Sequence, residues 1–231
     1  MNGFFTAQSF QDWFIQARLL FDLLVMTWVV AVVDLAISPR LITHLGALKP
    51  RKIIGLPGII SSAFLHGNWQ HLTGNTAYYL IFGGMIVVRD ARDFPIVSLM
   101  GALIPGILLW LFGRHNGYVG ASGVIFAYIG FVVSLIYFYR DPLALMFFVA
   151  MVLSLFFGDL IIFPALSGEQ KWVFGRTLWG LFPSVNGRIA WEAHLLGFIG
   201  GIWIAWRLND LHTFFKPIFA WWQTTWNTLL N

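Results

Sequence analysis

Val119-Gly120-Ala121-Ser122-Gly123-Val124-Ile125-Phe126-Ala127-Tyr128-Ile129-Gly130 opens a stretch that runs to Tyr139 without a single charge. A helix that crosses lipid needs about 17–25 mostly apolar residues, and this stretch supplies them. Working outward, five more segments qualify: Leu19–Ile37, Leu72–Val88, Phe94–Phe112, Pro142–Phe163 and Ile189–Leu208. The breaks between them are polar turns. Arg89-Asp90-Ala91-Arg92-Asp93 is charged, Gly113-Arg114-His115-Asn116-Gly117 is bounded by glycine, and Arg140-Asp141-Pro142 puts proline at a helix start. Only 10% of the 231 residues are charged and 58% are hydrophobic, where a soluble domain carries about 25% charged residues. A soluble globular domain and a disordered chain are both excluded. The expected fold is an all-α membrane protein, a single bundle of six transmembrane helices with interfacial loops. With no cysteine, disulfides, thiol nucleophiles and thiolate metal sites drop out.

Three domains of unequal weight are expected: an amphipathic N-terminal segment over 1–18, the bundle over 19–208, and an aromatic interfacial segment over 209–231. The N-terminus lacks a basic leader and a cleavage site, so no signal peptide is expected. The Trp and Phe at both ends read as a bilayer belt. Ile53–Leu65, broken by Gly55, Pro57 and Gly58, is too short to span and is expected at the interface or against the bundle. The loop Ala165–Arg188 is expected at headgroup level. The net charge of +4 fits anionic lipid surfaces, not nucleic acid. On a six-span layout, Arg40, Lys49, Arg51, Lys52, Arg114, Lys171, Arg176 and Arg188 share the face opposite the N-terminus. The positive-inside rule would put that face in the cytoplasm.

Polar residues inside lipid must find partners, which makes them functional candidates. His71 and Asn75 are four apart at the start of the second span and share a helix face. By themselves they suit an interhelical hydrogen bond. His66, five before His71, would turn away from it if the helix extended that far. Ser122 lies at the N-terminal end of the fourth span, where free N–H groups and the positive helix end favour a developing anion. Gly120 and Gly123 beside it permit close backbone approach, which is also ordinary helix packing. In the sixth span, His194 can accept a proton near neutral pH. Gly197 and Gly201 form a face for tight contact with another helix. Spans of even number begin at the same membrane face. His71, Asn75, Ser122 and His194 therefore fall at a similar depth, and a nucleophile, a base and two donors at one level suit acyl transfer.

These residues, taken in order and by helix number, resemble the rhomboid intramembrane serine proteases. The resemblance rests on His66, His71 and Asn75, on Gly120-Ala121-Ser122-Gly123, and on Ala193-His194 with Gly197 and Gly201. It implies a six-helix rhomboid-like bundle and a Ser122–His194 dyad without a third member. It also implies an oxyanion site made of the Ser122 N–H, His71 and Asn75, and space at Gly120 for the scissile carbonyl. Phe126, one turn past Ser122, would pack its ring against His194. His66, Gly123, Gly197 and Gly201 would support the site. The implied function is a serine endopeptidase that cuts single-span membrane proteins in or beside their transmembrane helices, without metal or other cofactor. The implied location is a bacterial plasma membrane. The family's usual Trp-Arg pair after the first span is missing from Ser38–Leu65.

Three rivals remain. One is a catalytically silent rhomboid-like protein that binds transmembrane clients. A second is a metal protein using His66, His71, His194 and Glu192, although the His66–His71 spacing suits no single helix face. A transporter is the third, yet Asp22, Asp34 and Asp159 sit near span ends and form no relay across the bilayer. Glu192, two residues before His194, either orients a partner or is solvated at the mouth of the bundle, and the second is expected.

Overall fold

A computed structural model describes residues 7–36, 40–114, 117–150 and 190–230. The described residues are helical throughout, apart from turns and one isolated bridge between Leu48 and Tyr118. In chain order they form α1 (Ala7–Ala36), α2 (Leu41–Gly46), α3 (Gly58–Ser61), α4 (Trp69–Arg89), α5 (Asp93–Phe112), α6 (Ser122–Tyr139), α7 (Trp191–Trp206) and α8 (Leu208–Leu230). Residues 142–150 are also helical. The rest of the expected fifth span and the expected loop Ala165–Arg188 lie outside the described residues.

Three of these helices are long and apolar enough to cross a membrane: Ala17–Ala36 within α1, then α5 and α6. α4 and α7 are less clear-cut, for a physical reason. α4 carries His71, Thr73, Asn75 and Thr76 in its first turns, which lowers its apolar content. α7 has 16 residues, about 24 Å at 1.5 Å each. α1 runs unbroken through residue 18, where a domain border was expected.

α6 lies at the centre. It buries every residue from Ile125 to Val132, around its whole circumference, as expected of a helix that is apolar on all sides. Tyr128 and Phe131 pack with Phe94 and Val97 of α5 and Ile86 of α4. α1 is peripheral and leaves Phe21, Val25 and Val29 exposed. α8 docks Leu211 and Phe215 into the core while Phe214, Ile218 and Trp221 stay exposed.

α6 and α7 touch backbone to backbone. A Cβ at Gly197 would fall 2.1 Å from the Gly123 carbonyl oxygen, and one at Gly201 2.1 Å from that of Ala127. A Cβ at Gly130 would meet the Phe198 oxygen at the same distance. Only glycine permits this approach.

Two groups of charges lie at helix ends. Arg89 donates to Asp141 at 2.6 Å and also to Asp93, which is 1% exposed. His212 of α8 completes the group, 2.7 Å from Asp93. At the other end, Asp34 is buried and accepts from Thr43 through its N–H (2.9 Å) and its hydroxyl. Arg40, in the left-handed region at φ 61°, donates to the carbonyls of His66 (3.1 Å) and Gly67 (2.6 Å). Arg40 thus ties the segment after α1 to the start of α4, although no Trp-Arg pair is present. The Ile53–Leu65 stretch packs on α5, with Ile59 against the bare face of Gly106.

Candidate active site

The start of α4 positions two donors. Asn68 caps the helix by accepting from the His71 N–H at 2.8 Å, the commonest use of Asn at such a position. The cap ends the helix before His66. The chain therefore bends, and the His66 ring comes back onto α4 instead of turning away. His66 is 1% exposed, and its Nε2 accepts from Asn75 Nδ2 at 2.9 Å. The rings of His66 and His71 meet edge to face, with centroids 5.1 Å apart. Burial first, and the neighbouring His71 second, lower the His66 pKa to about 4. At neutral pH it is an uncharged acceptor for Asn75.

The segment before α6 is pinned from two sides. Leu48 and Tyr118 exchange backbone hydrogen bonds of 3.1 and 2.9 Å, and the Gly120 N–H donates to the Ser62 carbonyl at 2.8 Å. Gly120 adopts φ 119°, a region that other residues rarely enter. A Cβ there would lie 2.6 Å from His71 Cε1, 2.8 Å from His71 Nε2 and 3.4 Å from Asn75 Nδ2. The His71 and Asn75 side chains therefore face the backbone two residues before Ser122. Ser122 is the first residue of α6 and is half-buried. With Gly120, Ala190 and Ala193 it borders a cleft of about 50 Å³. A larger cavity of about 250 Å³ lies beyond Ala121 and reaches His66 and Asn75.

α7 brings the base candidate. The ring of His194 stacks on that of Phe126, with centroids 4.3 Å apart and planes 16° from parallel. The Ala193 carbonyl lies 3.6 Å from the Cβ position of Gly123. Gly197 packs on Gly123 and Phe126, and Gly201 packs a turn deeper on Ala127 and Phe131. Of the ten residues singled out from sequence, nine lie in the first two turns of α4, α6 and α7 or just before them, and Gly201 lies in the third turn of α7.

Glu192 is not solvated. Its side chain is 14% exposed. It takes a two-pronged hydrogen bond from Arg114, at 2.5 Å to Oε1 and 2.9 Å to Oε2, and a third from the Tyr118 hydroxyl at 2.6 Å. Tyr118 in turn accepts from the Arg114 N–H at 2.7 Å. Burial and then the Glu192 carboxylate push the Tyr118 phenol up to about 12. Only one signal in the sequence pointed here: an acid in the first turn of an apolar helix and one arginine in a turn that the topology places nearby.

The fold and site define a helical membrane protein with a half-buried serine at the start of a helix that packs on a histidine-bearing one. The chain belongs to the rhomboid family, whose domain profile matches residues 55–210. Members of this family are generally serine intramembrane proteases. The chain is also similar to uncharacterised proteins of Mycobacterium tuberculosis and Mycobacterium bovis. Each is 25% identical over 205 residues, spanning 85% of this chain and 77% of the relative. An uncharacterised protein of Mycobacterium leprae is 28% identical over 160 residues, spanning 66% of this chain and 56% of its own length.

Proposed function

We propose that this protein is an intramembrane serine endopeptidase with a Ser122–His194 dyad, built on a six-span bundle in a bacterial plasma membrane. The observation that carries the reading is the seam between α6 and α7. The ring of His194 rests on Phe126, one turn past Ser122, and glycines on both sides of the seam keep the two helices in backbone contact.

In this reading, Ser122 Oγ attacks the scissile carbonyl and its proton passes to His194. The tetrahedral oxyanion forms beside Gly120, within reach of the Ser122 N–H, Asn75 and His71. His66 fixes the Asn75 amide by accepting one of its hydrogens. His194 then gives its proton to the leaving amine. A water, deprotonated by His194, cleaves the acyl-enzyme. Phe126, Gly123, Gly197 and Gly201 keep the two helices in register. The substrates are single-span membrane proteins, whose helix must open locally to expose a peptide bond. No cofactor enters any step.

The test is co-expression of the protein, and of its Ser122→Ala and His194→Ala forms, with a panel of single-span reporters. A fluorophosphonate label on Ser122 is the second readout. Cleavage and labelling by the unaltered chain, both lost in the two variants at normal expression, are expected. Cleavage that survives Ser122→Ala refutes the mechanism.

A further inference from the structure

Glu192 lies two residues before His194, and Tyr118 four residues before Ser122. They are bonded to each other, and this joins the two halves of the dyad by a route separate from the glycine seam. We propose that Glu192, clamped by Arg114 and Tyr118, is a positioning residue that holds the first turn of α7 in register with the first turn of α6. This rests on the dyad reading above and says how that dyad is kept aligned.

Three observations converge on it. First, α7 begins at Trp191 after Ala190, whose side chain offers no cap. Its first turn has no side-chain anchor of the usual kind. Second, the carboxylate of Glu192 is filled by three donors, Arg114 Nε and an Arg114 terminal nitrogen plus the Tyr118 hydroxyl. A two-pronged arginine bond fixes direction as well as distance. Third, the far side of the clamp is itself immobilised. Tyr118 is 7% exposed and is held to Leu48 through both backbone groups. Arg51 donates to the carbonyl of Gly113 at 2.9 Å, next to Arg114. The clamp therefore ties α7 to a braced loop, the same loop that delivers Gly120 and Ser122. Glu192 would touch neither substrate nor the reacting atoms.

A group that only aligns a base should change turnover more than binding. The experiment uses the full-length protein in liposomes with a cleaved reporter. Glu192→Ala and Arg114→Ala are each expected to lower kcat by about ten- to a hundredfold, with KM within about twofold. Tyr118→Phe, which keeps the arginine bond, should cost less. The exchanged pair Arg114→Glu with Glu192→Arg should regain most of the lost kcat. Hydrogen exchange at residues 190–196 should quicken in the two alanine variants and slow again in the exchanged pair. An active unaltered protein with Glu192→Ala at full kcat overturns the clamp alone. So does a folded exchanged pair that regains neither kcat nor slow exchange. If the single variants fail to fold, the exchanged pair decides. An unaltered chain that neither cleaves nor takes the serine label refutes the dyad, and the clamp falls with it.

Discussion

Replacing Gly197 by alanine should separate activity from stability. The new Cβ would lie 2.1 Å from the Gly123 carbonyl oxygen, 3.1 Å from its carbon and 3.3 Å from Phe126 Cβ. An ordinary carbon–oxygen contact is about 3.3 Å, so α6 and α7 must part by about 1 Å at that level. The two nearest atoms are Gly123 backbone, which cannot swing aside. Overpacking of this kind costs about 1–3 kcal/mol, while alanine regains about 1 kcal/mol of helix propensity over glycine. The net loss of stability is therefore modest, about 0–2 kcal/mol. Catalysis should suffer more. A displacement of about 1 Å between reacting groups costs about a hundredfold, or about 2.7 kcal/mol of transition-state stabilisation. The assay is kcat/KM on a cleaved reporter, beside unfolding in mixed micelles. Gly84, whose Cβ position has nothing within 4 Å, is the control: Gly84→Ala should leave cleavage unchanged. Gly197→Ala with kcat/KM within threefold of the parent would refute the claim that the seam aligns the dyad.

Asn75→Ala and His71→Ala should each lower kcat by about 2.7–4 kcal/mol in barrier terms while KM moves little, as read from steady-state cleavage. An equal rise in KM would mark them as binding groups. Asp93→Ala removes a buried carboxylate from Arg89 and His212, and about 3 kcal/mol of unfolding free energy should go with it. Because Arg89 keeps Asp141, the loss should fall at the low end for a buried pair. The pH dependence of stability follows from His66. Its folded pKa of about 4 lies below the unfolded 6.5, so the unfolded chain binds the proton more readily. The stability it lends is complete above pH 6.5 and is lost as pH falls toward 4. Unfolding midpoints measured against pH should show that slope in the parent and a shallower one in His66→Gln.

Much of this was legible in the sequence, and the misses are instructive. Gly197 and Gly201 announce a close approach because their spacing can serve little else in an apolar helix, and α6 fills that face. Depth and parity lead to the expectation that Ser122, His71, Asn75 and Ala193-His194 share one level, and the close approach of His71 and Asn75 to Gly120 and of His194 to Phe126 fits it. The turning away of His66 is conditional on α4 continuing upstream. Asn68 stops it, and the ring returns from a bend that periodicity cannot describe. Glu192 was read as solvated because its partner lies 78 positions away, and no local spacing signals so distant a pair. α4 and α7 fall short of the clearest span signature for different reasons: the first turns of α4 carry His71, Thr73, Asn75 and Thr76, and α7 has 16 residues. The bracing by Arg40 was hidden too, since the arginine bonds carbonyls, which every residue has.

The seam between α6 and α7 has a consequence for how a client could get in. Where carbonyls abut bare glycine backbones, at Gly123, Ala127, Gly197 and Gly201, no side chain stands between the two helices to rotate aside. Those two helices are expected to move together. If the protein is the protease proposed above, its peptide would be admitted along some other stretch of the perimeter, among the elements that pack through ordinary side chains.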